Sequence, residues 1–347
     1  MRLFSIFAAL LFLAACSPEN TSREIYNVSG STMGTTYNIK AIVPESAISQ
    51  EELHSEVEMA LTAVNNRLSN WVKTSEVERF NASTSTEWTP VSGDMAIIME
   101  EAFRIHDQSA GRFDVTLAPL IDLWGFGPSK DTPARPSREA IKDALDSVGM
   151  LTMLEFEASP PALRKINPTT SINLSAIAKG YGVDKIARTL EENGFSEYMV
   201  EIGGDLYAKG KNAKNTPWVV GIEKPVSGER AIQEIVKISN KGLATSGDYR
   251  NYKEVDGKRL SHIIDPVTGE PIDHKLASVT VIADTAARAD GLATALLAMG
   301  DKRGMRMAEA NGIATYMIVR NGNEFVELAS PAFTKLLNES EQSSENK

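Results

Sequence analysis

Apolar positions along this chain fall into two periods, and the switches between them mark out its elements. Residues 35–43 alternate and read as a half-buried strand. Ser49-x-x-Glu52 is a capping-box pattern opening a helix whose apolar face is Val57, Leu61, Val64 and Leu68. Further helices are predicted over 95–110, closed by Gly111, and over 137–148, closed by Gly149. An apolar strand end at 172–174 runs into Ser175, a natural N-cap. Ile177, Tyr181, Val183, Ile186, Ala187 and Leu190 then recur at helical intervals as far as Gly194. A β-rich run follows over 197–208, 218–223, 232–239, 260–264 and 278–283. A helix over 285–299 is capped by Gly300, and after a shorter helix Asn321-Gly322 joins strands 313–320 and 324–328 into a hairpin. Strands with hairpin-like connections and helices in blocks predict the α+β class, not a doubly wound sheet.

The ends depart from this pattern. Residues 1–15 combine Arg2 with an apolar stretch too short to span a membrane, and read as an export signal. The stretch ends in Leu13-Ala14-Ala15-Cys16, which resembles a bacterial lipoprotein box, so residues 16–27 are expected to form a tether lipidated on Cys16. Ser17, where Asp would retain a lipoprotein at the inner membrane, points toward the outer one; the choice stays open. The body is assigned to 28–337, long enough for one large or two medium domains, and the Ser/Glu-rich residues 338–347 are expected to lack structure. Cys16 is the only cysteine, which excludes a disulfide or a cysteine-based metal site. With 36 basic against 46 acidic residues, a net charge of −10 and no basic run, the chain does not fit a nucleic-acid partner. A phosphate-bearing ligand remains compatible, because a few local cations or a metal override the net field.

Several stretches carry chemistry. In 172–184, INLSAIAKGYGVD, a strand feeding a capped helix would leave free N–H groups and a positive dipole end, a seat for phosphate. Lys179, Gly180 and Gly182 would let charge and backbone approach. Asp290 and Thr294 stand four apart on one helix, hence on one face, and offer hard oxygens suited to Mg²⁺; alone, the same spacing suits a solvated face. His262 lies on a short strand ending in the Asp265-Pro266 turn, and imidazole is the side chain best placed to take a proton near neutrality. A strand histidine bonded to a neighbouring loop fits equally. His54, His106 and His274 show no partner pattern. The loop 111–127, with Arg112, Phe113 and Asp114, and the separate indole of Trp71 could stack a planar ring and hold an anion, or plug a core. Gly203-Gly204 inside a strand implies a bulge or close backbone contact, and 242–250 reads as a small-residue turn beside Arg250, a candidate phosphate contact.

Together and in this order, these segments carry a resemblance. GSTMGTTYNIK (30–40), GRFDVTLAPLIDLWGFGP (111–128), INLSAIAKGYGVD (172–184), EIGGDLYAKG (201–210), ATSGDYRNY (244–252), LSHIIDPVTGEPI (260–272) and ADTAARADGLATALLAMG (283–300) closely resemble the ApbE family, the FAD:protein FMN transferases. The resemblance covers about residues 28–320 and implies a single large domain of mixed, largely antiparallel sheets flanked by helices, with the flavin site in a cleft between lobes. It implies Mg²⁺-dependent transfer of FMN from FAD, the substrate, to a Thr or Ser hydroxyl of an acceptor protein, releasing AMP. Family acceptors are flavin-carrying subunits of membrane electron-transfer complexes of the Na⁺-translocating quinone reductase type. The FAD positions fall on Met33, Trp71, Arg112, Phe113, Asp114, Asn173, Lys179 and Ile264. The metal positions fall on Ala176, through its carbonyl, and on Asp290 and Thr294. Asn173 stands where many relatives carry Asp, and Lys179 replaces an acidic residue of some members. His262 is the candidate general base, with Asp265 to orient it or assist the metal. The expected home is the periplasmic side of the envelope, anchored by lipid. Two other readings keep the same ligand: a periplasmic FAD pyrophosphatase giving FMN and AMP, and a flavin-binding lipoprotein without chemistry.

Overall fold

A computed structural model describes residues 23–128, 135–226, 231–249, 252–255, 257–322 and 324–345. The export signal, Cys16, the tether up to residue 22 and Arg250 lie outside the described residues. Eight strands form one sheet whose spatial order is its chain order: β1 (Ile25–Thr32), β2 (Thr35–Ile42), β3 (Tyr198–Ile202), β4 (Asp205–Lys209), β5 (Lys241–Gly247), β6 (Leu276–Ala283), β7 (Ala314–Asn321) and β8 (Glu324–Ala329). Every neighbouring pair is antiparallel. The sheet is an up-and-down meander interrupted by excursions, which agrees with the α+β expectation.

The longest excursion, 43–197, carries helices α1 (Gln50–Leu68), α2 (Gly93–Gln108) and α3 (Ala178–Glu192), besides a small sheet of Thr89–Pro90, Pro161–Lys165 and Leu154–Ala158. The capping box of Ser49 and Glu52 forms as its spacing predicts, and Val57, Leu61, Val64 and Leu68 are all buried. Between β6 and β7 runs α4 (Ala286–Ala310), capped by the Thr285 side chain on the Arg288 amide. Gly300, at φ 75°, divides α4 in two, as its place in the sequence predicts. His274 sits against that break and its Nε2 shares a hydrogen bond with the Leu297 carbonyl at 2.8 Å, a partner its sequence context did not reveal.

Alternation along the strands gives the sheet two apolar faces. Tyr37, Ile39, Val200 and Ile202 pack with α1 and α3, and Val279 and Val281 pack with α2 and α4. On the other face, Leu206, Leu243, Ile282 and Ile318 are covered by the hairpin Trp218–Glu223/Ile232–Ile238 and by the last helix, Pro331–Glu345, through Phe333. That helix continues through most of the segment expected to lack structure. Its apolar first turns are anchored in the core, and once nucleated the polar remainder propagates from them.

Four local expectations are corrected. Residues 172–174, with Ile172 and Leu174 buried, belong to no sheet. Most of their partners are side chains: the Asn70 and Asn81 amides donate to the Ile172 carbonyl, and their oxygens accept the Leu174 and Ile172 amides, while the Asn173 amide donates to the Val115 carbonyl. Ser175 is not the cap of α3. The Asn173 side chain accepts the Ser175 amide in a local turn, and the helix starts three residues later without a side-chain cap. Gly203-Gly204 is no bulge but the turn joining β3 to β4, with φ values of 55° and 99°. Likewise residues 241–247 are strand β5 in mid-sheet and not a turn; their small side chains let α4 lie close, since a Cβ on Gly242 would come within 2.5 Å of the α4 backbone.

Candidate active site

Helices α3 and α4 secure each other's first turns. The Asp184 carboxylate accepts the Ala286 and Ala287 amides at 2.8 and 2.9 Å, and the Asp290 carboxylate accepts the Gly180 amide at 2.9 Å. The exchange needs glycine at 180, because a Cβ there would lie 2.3 Å from the Ala286 carbonyl oxygen. The expectation of open amides at the start of α3 is therefore corrected. Ala178 donates to the Leu174 carbonyl, Gly180 to Asp290 and Tyr181 to the Ile177 carbonyl.

Above this crossing lies a cavity of about 470 Å³. The excursion 43–197 contributes Trp71, Arg112, Phe113, Asp114, Asn173, Ala176 and Lys179 to its wall. The segment after β5 contributes His262 and Ile264, and α4 contributes Asp290 and Thr294. Met33, at φ 50° in the β1–β2 turn, lines an adjoining cavity of about 200 Å³ that shares Trp71, Ser175 and Lys179 with the first. Thus every expected FAD and metal position meets one continuous site between the helical excursion and the sheet. Asp265 is not on that wall. Its carboxylate accepts two hydrogen bonds from Arg112 Nη1, at 2.7 and 2.9 Å, and the Val267 amide at 2.8 Å. Expected to orient His262 or assist a metal, it instead holds the Arg112 guanidinium.

The first wall contains side chains of unequal freedom. Asp114 reaches the cavity, yet its carboxylate accepts the Thr116 amide at 2.7 Å and the Met150 amide at 2.9 Å, so it braces the loop. The Phe113 carbonyl is held by His106 Nδ1 at 2.8 Å, which gives that histidine a structural partner. Trp71 is 60% exposed at the rim, an indole left in water beside an opening that could seat a planar ring. His262 lies edge-on to Phe126 with centroids 6.4 Å apart.

The floor is charged. Asp290 is 5% exposed, and burial raises its pKa, opposed by the Lys179 charge and the Gly180 amide. Burial lowers the Lys179 pKa, opposed by Asp290 and Glu201. Lys179 forms an ion pair with Asp205, at the start of β4. Thr294 Oγ1 lies 3.0 Å from Ser246 Oγ, one helical turn from Asp290 on the same face. Among the described residues no group of three or more His, Cys, Asp or Glu could hold a metal. A cation here would meet the Asp290 carboxylate and the Thr294 hydroxyl, with Ala176 on the same wall and further places for water and phosphate. That oxygen set fits Mg²⁺ and not a thiolate- or imidazole-seeking metal.

The ApbE family model matches residues 33–317. The chain belongs to the ApbE family. It is 43% identical over 334 residues to the FAD:protein FMN transferase of Haemophilus influenzae, covering 95% of each chain. To that of Vibrio cholerae it is 44% identical over 330 residues, covering 95% of this chain and 97% of the relative. The solved flavin transferase ApbE from Vibrio cholerae superposes with a TM-score of 0.83 at 43% identity, covering 90% of this chain and 99% of that one. In this ApbE-family site, sequence reasoning passed over Asp205, Thr245 and Ser246. Each stands in a segment singled out for its glycines, and the signal available was a carboxylate or hydroxyl close to a glycine in the chain. What could not be read was that these segments end beside α4.

Proposed function

We propose that the protein transfers FMN from FAD to a Thr or Ser hydroxyl of an acceptor protein and releases AMP. The carrying observation is that one cavity collects His262, the Asp290/Thr294 oxygens, Lys179 and Arg112 beside an exposed indole, from segments spread between residues 71 and 294. Its kinship with FAD:protein FMN transferases over nearly the whole chain supports the same reading. The acceptor hydroxyl oxygen bonds to the FMN phosphorus, the bond to the bridging oxygen breaks, and AMP leaves with that electron pair. His262 takes the hydroxyl proton. Lys179 and Arg112 place positive charge where the diphosphate gains negative charge. Mg²⁺, held by Asp290, Thr294 and the Ala176 carbonyl, would supply further charge neutralisation there. Trp71 and Phe126 would border the isoalloxazine.

The acceptors we propose are flavin-carrying subunits of membrane electron-transfer complexes of the Na⁺-translocating quinone reductase type. The protein itself would be lipidated on Cys16 and held on the periplasmic side of a membrane. Incubation with FAD, Mg²⁺ and an acceptor domain, followed by intact mass, tests the transfer: the acceptor should gain one FMN for each AMP released. AMP with free FMN and unmodified acceptor would replace transfer by hydrolysis, and no AMP at all would leave a flavin carrier.

A further inference from the structure

Asp205 belongs to none of the positions assigned above, yet it is 1% exposed and faces the Lys179 ammonium. It opens β4 directly after the Gly203-Gly204 turn, so the backbone fixes where its carboxylate points. Oδ1 accepts the Thr245 amide at 3.3 Å, and Oδ2 meets the Lys179 ammonium. Among the described residues no hydrogen-bond donor of ordinary geometry reaches Oδ2, so Lys179 is what balances it.

Lys179 has a second carboxylate to choose from. It precedes Gly180, whose amide donates to Asp290, and a flexible four-carbon stem on the first turn of α3 lies in the field of Asp290. Two buried carboxylates thus compete for one ammonium. Were the ammonium to move to Asp290, Asp205 would be left buried and unpaired, which is strongly unfavourable. With the ammonium on Asp205, the Asp290 carboxylate keeps a single amide contact on Oδ2, and the floor carries one more carboxylate than ammonium. Glu201, whose charge also attracts Lys179, accepts the Asn38 amide group and the Gly204 amide and lies toward the turn.

We propose that Asp205 is a positioning residue: it keeps the Lys179 ammonium off Asp290, so that the Asp290 carboxylate and the Thr294 hydroxyl stay open to a divalent cation. The inference rests on the Mg²⁺ reading of the preceding section. It differs from a plain sum of charges in one respect. If the ammonium is already held away, removing it changes cation affinity little in the wild-type background and much when Asp205 is gone.

Calorimetric titration of Mn²⁺ alone into the protein without FAD tests this on wild type, Lys179→Met, Asp205→Asn and the double variant. Asp205→Asn should weaken Mn²⁺ about tenfold or more, Lys179→Met alone should stay within about threefold of wild type, and the double variant should return to within about threefold. Asp205→Glu should bind as wild type does. Equal tightening by Lys179→Met in both backgrounds, or an unchanged affinity in Asp205→Asn, would overturn the proposal. If Asp205→Asn fails to fold, as its thermal midpoint will show, the single variant Lys179→Met decides: tightening of about tenfold sinks the idea. Wild type that binds no Mn²⁺ would remove the metal reading itself, and this inference with it.

Discussion

His262 stands on the cavity wall with its ring edge against Phe126, on the segment that also presents Ile264 to the same opening. A hydroxyl is a weak nucleophile until a base takes its proton, and no other histidine lines this cavity among the described residues. His262→Ala should lower the transfer rate on the order of 10²-fold or more while FAD binds as before. Stopped assays of AMP release beside an FAD titration check this, and wild-type turnover in the variant would remove His262 from the reaction. Arg112 illustrates the same dependence of one side chain on another. Its guanidinium is held by Asp265, 153 residues away, so the motif Asp-Pro was legible but its service to Arg112 was not.

At the scale of elements, the α3–α4 crossing decides the site. Gly180→Ala would push a methyl carbon into the Ala286 carbonyl, and only backbone separation relieves that contact. A loss of about 1–3 kcal/mol is expected, read from the urea midpoint, along with displacement of the Asp290 carboxylate from its amide. Asp184, on the other side of the crossing, gives the pair a pH dependence. Desolvation raises its pKa to about 6 from the ordinary 3.8, against the Ala287 and Ala286 amides that pull it down. The folded protein therefore holds a proton between about pH 4 and 6 that the unfolded chain has released. This contribution to stability is complete below about pH 4 and is lost as pH rises through about 6. Urea midpoints of wild type and Asp184→Asn across this range should converge or cross by about 1–2 kcal/mol; parallel curves would contradict the assignment. Ser175 shows the limit of reading elements locally. Its residue type suits a cap, but Asn173 takes its amide first and delays the helix.

For the whole molecule, the meander carries little chemistry by itself. The first excursion brings an aromatic and arginine wall, the segment after β5 brings the histidine, and α4 brings the oxygens. A ligand spanning these parts should tie them together. FAD at about 100 times its dissociation constant should add roughly 2.7 kcal/mol to the unfolding free energy, seen as a raised thermal midpoint, and should quench Trp71. Trp71→Phe should keep most of that stabilisation and lose the corresponding part of the quench. A midpoint indifferent to FAD would show that the folded chain does not bind it, and a quench that persists undiminished in Trp71→Phe would place the flavin elsewhere.

The chain by itself determined what acts over a few residues: the capping box at Ser49, the apolar faces of α1 and α3, the Asn321-Gly322 turn, the break at Gly300, and the order of the motif blocks. Their causes are local periodicity, capping and left-handed glycines, and these are written in neighbouring positions. Only the tertiary structure decided the partners that come from afar. Asn70 and Asn81 replace a strand ladder for Ile172 from 102 and 91 residues away, and Asp205 claims the ammonium of Lys179. A buried polar group must find a partner wherever the fold brings one, so its choice is settled by packing and not by spacing along the chain.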